Sequence, residues 1–183
     1  MTGGMRMSRS TKYMCLYAMG TALFVVLTMC VQAPVFENYY LCLGYVVMAV
    51  YCYSFGPGAG AVVGAVGVLL YCLLTNGLRG MPGWALGNVL IGVMLGYTFR
   101  WTRRLKAGLL RWVIHILAVV IATAAGVMAV KSAVELLLYG QPFLFRVGKN
   151  IYAFIADVVL LLVSLPVCEM LDRYLQRHVI KRT

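Results

Sequence analysis

Few side chains in this sequence could do chemistry, and their positions matter more than their number. Only five residues are acidic, and one of them, Asp157, stands seven residues inside an apolar run. In a helix of 1.5 Å rise per residue that depth is about 10 Å. An ionisable group so placed is costly and is a functional-site hypothesis by itself. It would accept hydrogen bonds from a ligand or pair with a cation such as Arg79 or Lys149. Asn88 lies one turn beyond Trp84 in another apolar run, where a ligand contact and a helix–helix hydrogen bond account for it equally. His115 enters its run from the opposite end, and a hydrogen bond to a neighbouring helix explains it best.

The other candidates gather in three connections. The first carries Glu37, Asn38, Tyr39 and Tyr40. The second runs from Asn76 to Trp84 and includes Arg79. The third, residues 131–150, holds Lys131, Glu135, Gln141, Arg146, Lys149 and Asn150. Aromatic walls with a few hydrogen-bonding groups are what a small polar aromatic ligand needs. Taken singly, each residue is accounted for by the interfacial aromatic belt or by a solvated loop. As a set they point to one binding site.

Other chemistry is excluded. The six cysteines form no C-x-x-C pair and lie in or beside apolar runs, where Cys packs as a small hydrophobe. No metal site is expected from them or from so few carboxylates. The sequence has no Gly-x-Ser-x-Gly, no His-Glu-x-x-His and no phosphate-binding Gly-x4-Gly-Lys-Ser/Thr, so it is read as a non-enzyme that cannot hydrolyse ATP by itself.

The elements that must position these groups are membrane helices. Of 183 residues, 63% are hydrophobic and 11% charged, with a mean hydropathy of +0.89. A soluble domain is nearer half apolar and a quarter charged. Six apolar runs are expected to span, at about 13–31, 40–55, 58–75, 84–99, 109–130 and 150–171, making one all-α domain over 1–183. The first run is too long and too poorly ended, at Gln-Ala-Pro, for a cleaved signal, and is read as a retained helix. Residues 131–149 are expected to form a loop or short helix on the membrane surface. Glycines recur four apart at Gly56, Gly60 and Gly64, at Gly83 and Gly87, and at Gly92 and Gly96. That spacing predicts a close helix pair, because the small residues share one face.

Charge sets the expected orientation. The net charge is +11, but the basic residues sit between the apolar runs and form no nucleic-acid patch. Twelve Lys and Arg fall in residues 1–12, the 100–111 connection and the tail 172–183, against four elsewhere. The positive-inside rule puts both termini in the cytoplasm and closes on six spans. In the first run Ala18 and Ala22 form a small-x-x-x-small strip that would dock another membrane protein if it faces outward.

These features resemble the substrate-binding S components of energy-coupling factor (ECF) transporters. The likeness rests on Ala22-Leu-Phe-Val-Val-Leu, on Phe55-Gly-Pro-Gly-Ala-Gly-Ala-Val-Val-Gly and on Pro82-Gly-Trp84 before a glycine-rich helix, and covers about residues 13–100 by motif. It implies high-affinity capture of a vitamin or related micronutrient in a bacterial cell membrane. It also implies docking through Ala18 and Ala22 on a membrane coupling subunit driven by two ATPases, with ATP confined to those partners and no cofactor here. By the same likeness the substrate site would draw on Glu37, Asn38, Tyr39, Tyr40, Asn76, Arg79, Trp84, Asn88, Lys149, Asn150, Tyr152 and Asp157. The branch with these motifs carries a His and an acidic residue near the end of its third helix. Residues 68–75 have neither, so the ligand stays open between a flavin, another B vitamin, a modified base and an aromatic amino acid. The rival readings are a self-sufficient secondary transporter, which should show an internal repeat and midplane charges, and a non-transporting membrane scaffold.

Overall fold

A computed structural model describes residues 9–30, 32–36, 39–78, 80–105, 108–140 and 142–178. The apolar runs become α1 (Arg9–Cys30), α2 (Gly44–Phe55), α3 (Pro57–Leu74), α4 (Met81–Thr102), α5 (Leu109–Tyr139) and α6 (Phe143–His178). A short antiparallel hairpin, β1 (Gln32–Phe36) with β2 (Tyr39–Cys42), links α1 to α2. Among the described residues the regular structure is otherwise all α-helix, apart from one π-helical segment within α5.

Four of the helices, α1, α3, α5 and α6, are long and apolar enough to cross a membrane. The other two are weaker candidates for physical reasons. With 12 residues, α2 rises only about 18 Å, short of a hydrocarbon core of about 30 Å. Although α4 has 22 residues, four glycines, Asn88 and Arg100 dilute its apolar surface.

Two expectations need correction. Residues 40–42 are strand, so the second helix begins only at Gly44. Residues 131–149 are no surface segment: α5 continues to Tyr139 and α6 already starts at Phe143. Ser132, Glu135, Arg146 and Asn150 meet between the two helices. Asn150 Nδ2 donates to Ser132 Oγ at 3.0 Å and to Glu135 Oε2 at 3.5 Å, and Arg146 pairs with Glu135 at 3.6 Å. The reversal falls to Gly140, at φ +63°, a left-handed conformation that favours glycine, followed by Pro142.

The glycines of α4 make the close contacts that their spacing predicts, while Gly60 and Gly64 of α3 face Cys52 and Met48 of α2, and Gly56 lies between α2 and α3. A Cβ at Gly92 would lie 2.6 Å from Ala61 N, and one at Gly87 would lie 2.7 Å from the Gly126 carbonyl oxygen. No side chain fits there, so α4 meets α3 on one side and α5 on the other, backbone to backbone. Around this contact Phe24, Tyr45, Met48, Ile91, Leu95, Phe99 and Leu161 are fully buried.

At the end that carries the 100–111 connection, Tyr53 ties four helices together. Its hydroxyl accepts from Arg111 and its carbonyl oxygen from Arg103, and both guanidinium groups lie over its ring, at 5.9 and 5.3 Å from the centroid. From α6, Asp172 pairs with Arg103 at 2.9 Å and Glu169 with Arg111 at 3.3 Å. His115 is buried beside them, 2.7 Å from Thr102 Oγ1 on α4. This is the interhelical bond expected of it.

Candidate functional site

At the opposite end of the bundle a cavity of about 410 Å³ opens between five of the helices, α1 and α3 to α6, and the hairpin. Thr28 closes α1, Leu41 and Cys42 come from β2, and Tyr71, Cys72 and Thr75 from the end of α3. Gly77 and Gly80 supply the connecting turn, and Trp84 the first turn of α4. Val127 and Lys131 come from α5, and Ala153 and Asp157 from α6. The volume falls within the range typical of small-molecule pockets, about 300–1,000 Å³.

The floor is a hydrogen-bonded chain. Trp84 Nε1 donates to the Tyr45 hydroxyl at 2.9 Å, and that hydroxyl donates to Asn88 Oδ1 at 2.8 Å. Asn88 Nδ2 then donates to the Gly64 carbonyl at 3.2 Å. Three glycines allow this: Gly64 gives room beside Asn88 Cβ, and Gly83 and Gly87 let α4 approach α5. Asp157 contacts the same Tyr45 hydroxyl and is electrostatically attracted to Lys131. Tyr71 stands edge-on to Trp84, centroids 5.8 Å apart, making an aromatic corner. Thr28 Oγ1 lies 3.2 Å from Cys42 Sγ, and together they form a small polar patch beneath the hairpin.

The sequence candidates divide around this geometry. Trp84 and Asp157 line the cavity. Asn88 is fully buried beneath it and orients Tyr45. Asn76 is exposed in the turn between two lining residues, Thr75 and Gly77, at φ +56°. Tyr39 and Tyr40 are placed by backbone only, in β2 opposite Phe36 and Pro34. Asn150 is buried in the α5–α6 network, away from the cavity lining. Lys149 is exposed with its Nζ 5.1 Å from the Phe145 ring centroid, and Tyr152 is exposed on α6. Glu37, Asn38 and Arg79 lie outside the described residues. Ala18 and Ala22 are exposed on α1, well removed from the cavity-lining Thr28.

Sequence reasoning missed Tyr45, whose hydroxyl is hidden in an apolar run, and treated Lys131 as a loop residue. The cation that faces Asp157 is Lys131; Lys149 points elsewhere. One signal for Lys131 was available, the Lys131–Glu135 spacing of a helix face. Among the described residues no group of His, Cys, Asp and Glu could hold a metal ion, and all six cysteines are free.

The sequence profile of the ECF-type riboflavin transporter S component family matches residues 8–172. The chain belongs to this family. The family consists of membrane-embedded S components of ECF transporters. This S component is also similar to proteins of Lactococcus lactis subsp. cremoris named UPF0397 protein, at 33% identity over 93 residues. A further relative, UPF0397 protein YdcD of Lactococcus lactis subsp. lactis, is similar to the same degree. The alignment covers 49% of this chain and spans about half the length of these curated relatives, 50% in the first. Their names state no substrate.

Proposed function

We propose that this S component captures riboflavin or a closely similar planar heteroaromatic micronutrient in the cavity beneath the hairpin. The observation that carries this reading is the lining itself. An aromatic corner, Tyr71 with Trp84, stands beside an oppositely charged pair, Lys131 and Asp157. Rings of that kind contribute contact area, and the charged pair orients a ligand with a donor and an acceptor on one edge. The cavity lies at the end opposite the basic 100–111 connection, so the positive-inside rule places its mouth outside the cell. Both termini are then cytoplasmic and the chain crosses the membrane six times.

Release is driven elsewhere. The exposed Ala18 and Ala22 make a flat strip on α1 on which a membrane coupling subunit packs closely, and two ATPases on that subunit supply the energy. Native mass spectrometry of the detergent-purified chain tests the capture step. The expected result is a retained mass matching a flavin. An empty protein whose melting temperature does not move across a panel of flavins, other B vitamins and nucleobases would overturn the reading. For docking, Ala18→Leu with Ala22→Leu should abolish co-purification of the ATPase partners while leaving the retained mass in place.

A further inference from the structure

The α-helical ladder of α5 gives way over Ala124–Lys131 to the one π-helical segment among the described residues. A π turn takes in an extra residue, so side chains beyond it are rotated relative to an uninterrupted α-helix, and such turns frequently mark functional sites. Here it is seated firmly. A Cβ at Gly87 would meet the Gly126 carbonyl oxygen at 2.7 Å, and one at Gly83 would meet that of Lys131 at 3.1 Å. Both α5 residues that face the cavity, Val127 and Lys131, belong to this segment. The stem of Lys131 runs across Gly83, its Cγ 3.3 Å from where a Cβ would stand. The next turn is pinned through Ser132 and Glu135 to Asn150 and Arg146. Lys131 is attracted by Glu135 behind it and by Asp157 across the cavity.

We propose that Lys131, aimed by the π segment, is a specificity-determining residue of the cavity. Its ammonium donates to a carbonyl on the cargo while Asp157 accepts from the adjacent N–H, so that the site selects planar heterocycles with a lactam or imide edge. The proposal rests on the capture role above and deepens it. A point cation and a carboxylate facing each other each find a partner on such an edge, whereas a ligand with two acceptors or two donors leaves one charge unmatched. The π turn supplies the register: without its extra residue, Lys131 would be turned away from Asp157 on the wall of α5.

The test is a binding titration of purified wild-type and variant chains in detergent, with riboflavin and N3-methylriboflavin as probes. Methylation removes the imide N–H and keeps both carbonyls. Wild type should bind riboflavin about tenfold or more tightly than its methylated analogue, and Lys131→Met should lose about tenfold or more for riboflavin. The preference for riboflavin should shrink in Lys131→Met, and Lys131→Arg should recover part of the affinity. If Lys131→Met does not melt cooperatively, Gly83→Ala carries the test. Its methyl presses on the Lys131 carbonyl oxygen and side-chain stem, 3.1 and 3.3 Å away, and keeps the ammonium, so affinity should fall several-fold in a chain that still melts cooperatively. Riboflavin affinity unchanged in the variant that folds, or equal binding of the two probes by wild type, would overturn the proposal and leave capture intact. A wild-type chain that binds another micronutrient but no flavin, pterin or oxopurine would likewise overturn it. A chain that binds nothing in the panel removes the capture reading as well.

Discussion

The Trp84–Tyr45–Asn88 chain makes a prediction that separates a working hydrogen bond from mere proximity. Tyr45 and Asn88 are fully buried, and the Tyr45 hydroxyl serves both neighbours, accepting from Trp84 at 2.9 Å and donating to Asn88 at 2.8 Å. Replacing Asn88 by Ala removes the acceptor of that bond and leaves the hydroxyl to Asp157, which also contacts it. Replacing Tyr45 by Phe strands two groups, Asn88 Oδ1 and Trp84 Nε1. A stranded buried polar group costs about 1–3 kcal/mol, so Tyr45→Phe should cost more than its single missing oxygen implies. Interhelical hydrogen bonds in membrane bundles average about 0.6 kcal/mol and reach about 1.7, which bounds the Tyr45–Asn88 coupling. The assay is a double-mutant cycle of Tyr45→Phe and Asn88→Ala, read by unfolding in detergent. The double variant should be less destabilised than the sum of the single variants by about 0.6–1.7 kcal/mol. Tyr45→Phe should also weaken a bound flavin about five-fold, an effect near 1 kcal/mol, because it frees Trp84 at the cavity wall. Additivity within about 0.3 kcal/mol would refute the chain as an energetic unit.

Other expectations follow from the packing and the opposite end of the bundle. Gly92→Ala drives a methyl against the Ala61 backbone, 2.6 Å away, and should cost about 1–3 kcal/mol in unfolding free energy. Gly58→Ala, with nothing within 4 Å, should be neutral or stabilising by up to about 1 kcal/mol, so equal effects at the two sites would count against backbone contact between α3 and α4. Asp172→Asn removes the negative charge paired with Arg103 and should lower stability by about 1 kcal/mol, measured as the loss of melting temperature in low salt. Thr102→Val leaves the His115 ring nitrogen, now 2.7 Å from a hydroxyl, without that partner; a cost of about 1 kcal/mol in thermal unfolding is expected, with riboflavin affinity unchanged.

What the sequence made legible was whatever depends on one helix at a time. The apolar runs located the helices, the glycine spacing located the close pair, and the position of Asp157 within its run marked the cavity wall before any partner was known. His115 was legible for the same reason, since a lone imidazole in an apolar run must find a bond on the next helix, and Thr102 supplies it. The failures share a different cause. Ser132, Glu135, Arg146 and Asn150 looked like loop polarity because each is costly in a membrane helix by itself. Their cost falls only when α5 and α6 lie side by side and the four groups pair with one another, a fact that belongs to no single segment. Lys131 was misplaced along with them. Its direction depends on a π turn that hydrophobic periodicity does not register, and that turn is held by the flat backbone of α4 at Gly83 and Gly87. The glycine stripe therefore does two things. It brings α4 close to α3 and α5, and by accepting the wider turn of α5 it sets a cation opposite Asp157, which turns a packing motif into part of the proposed site.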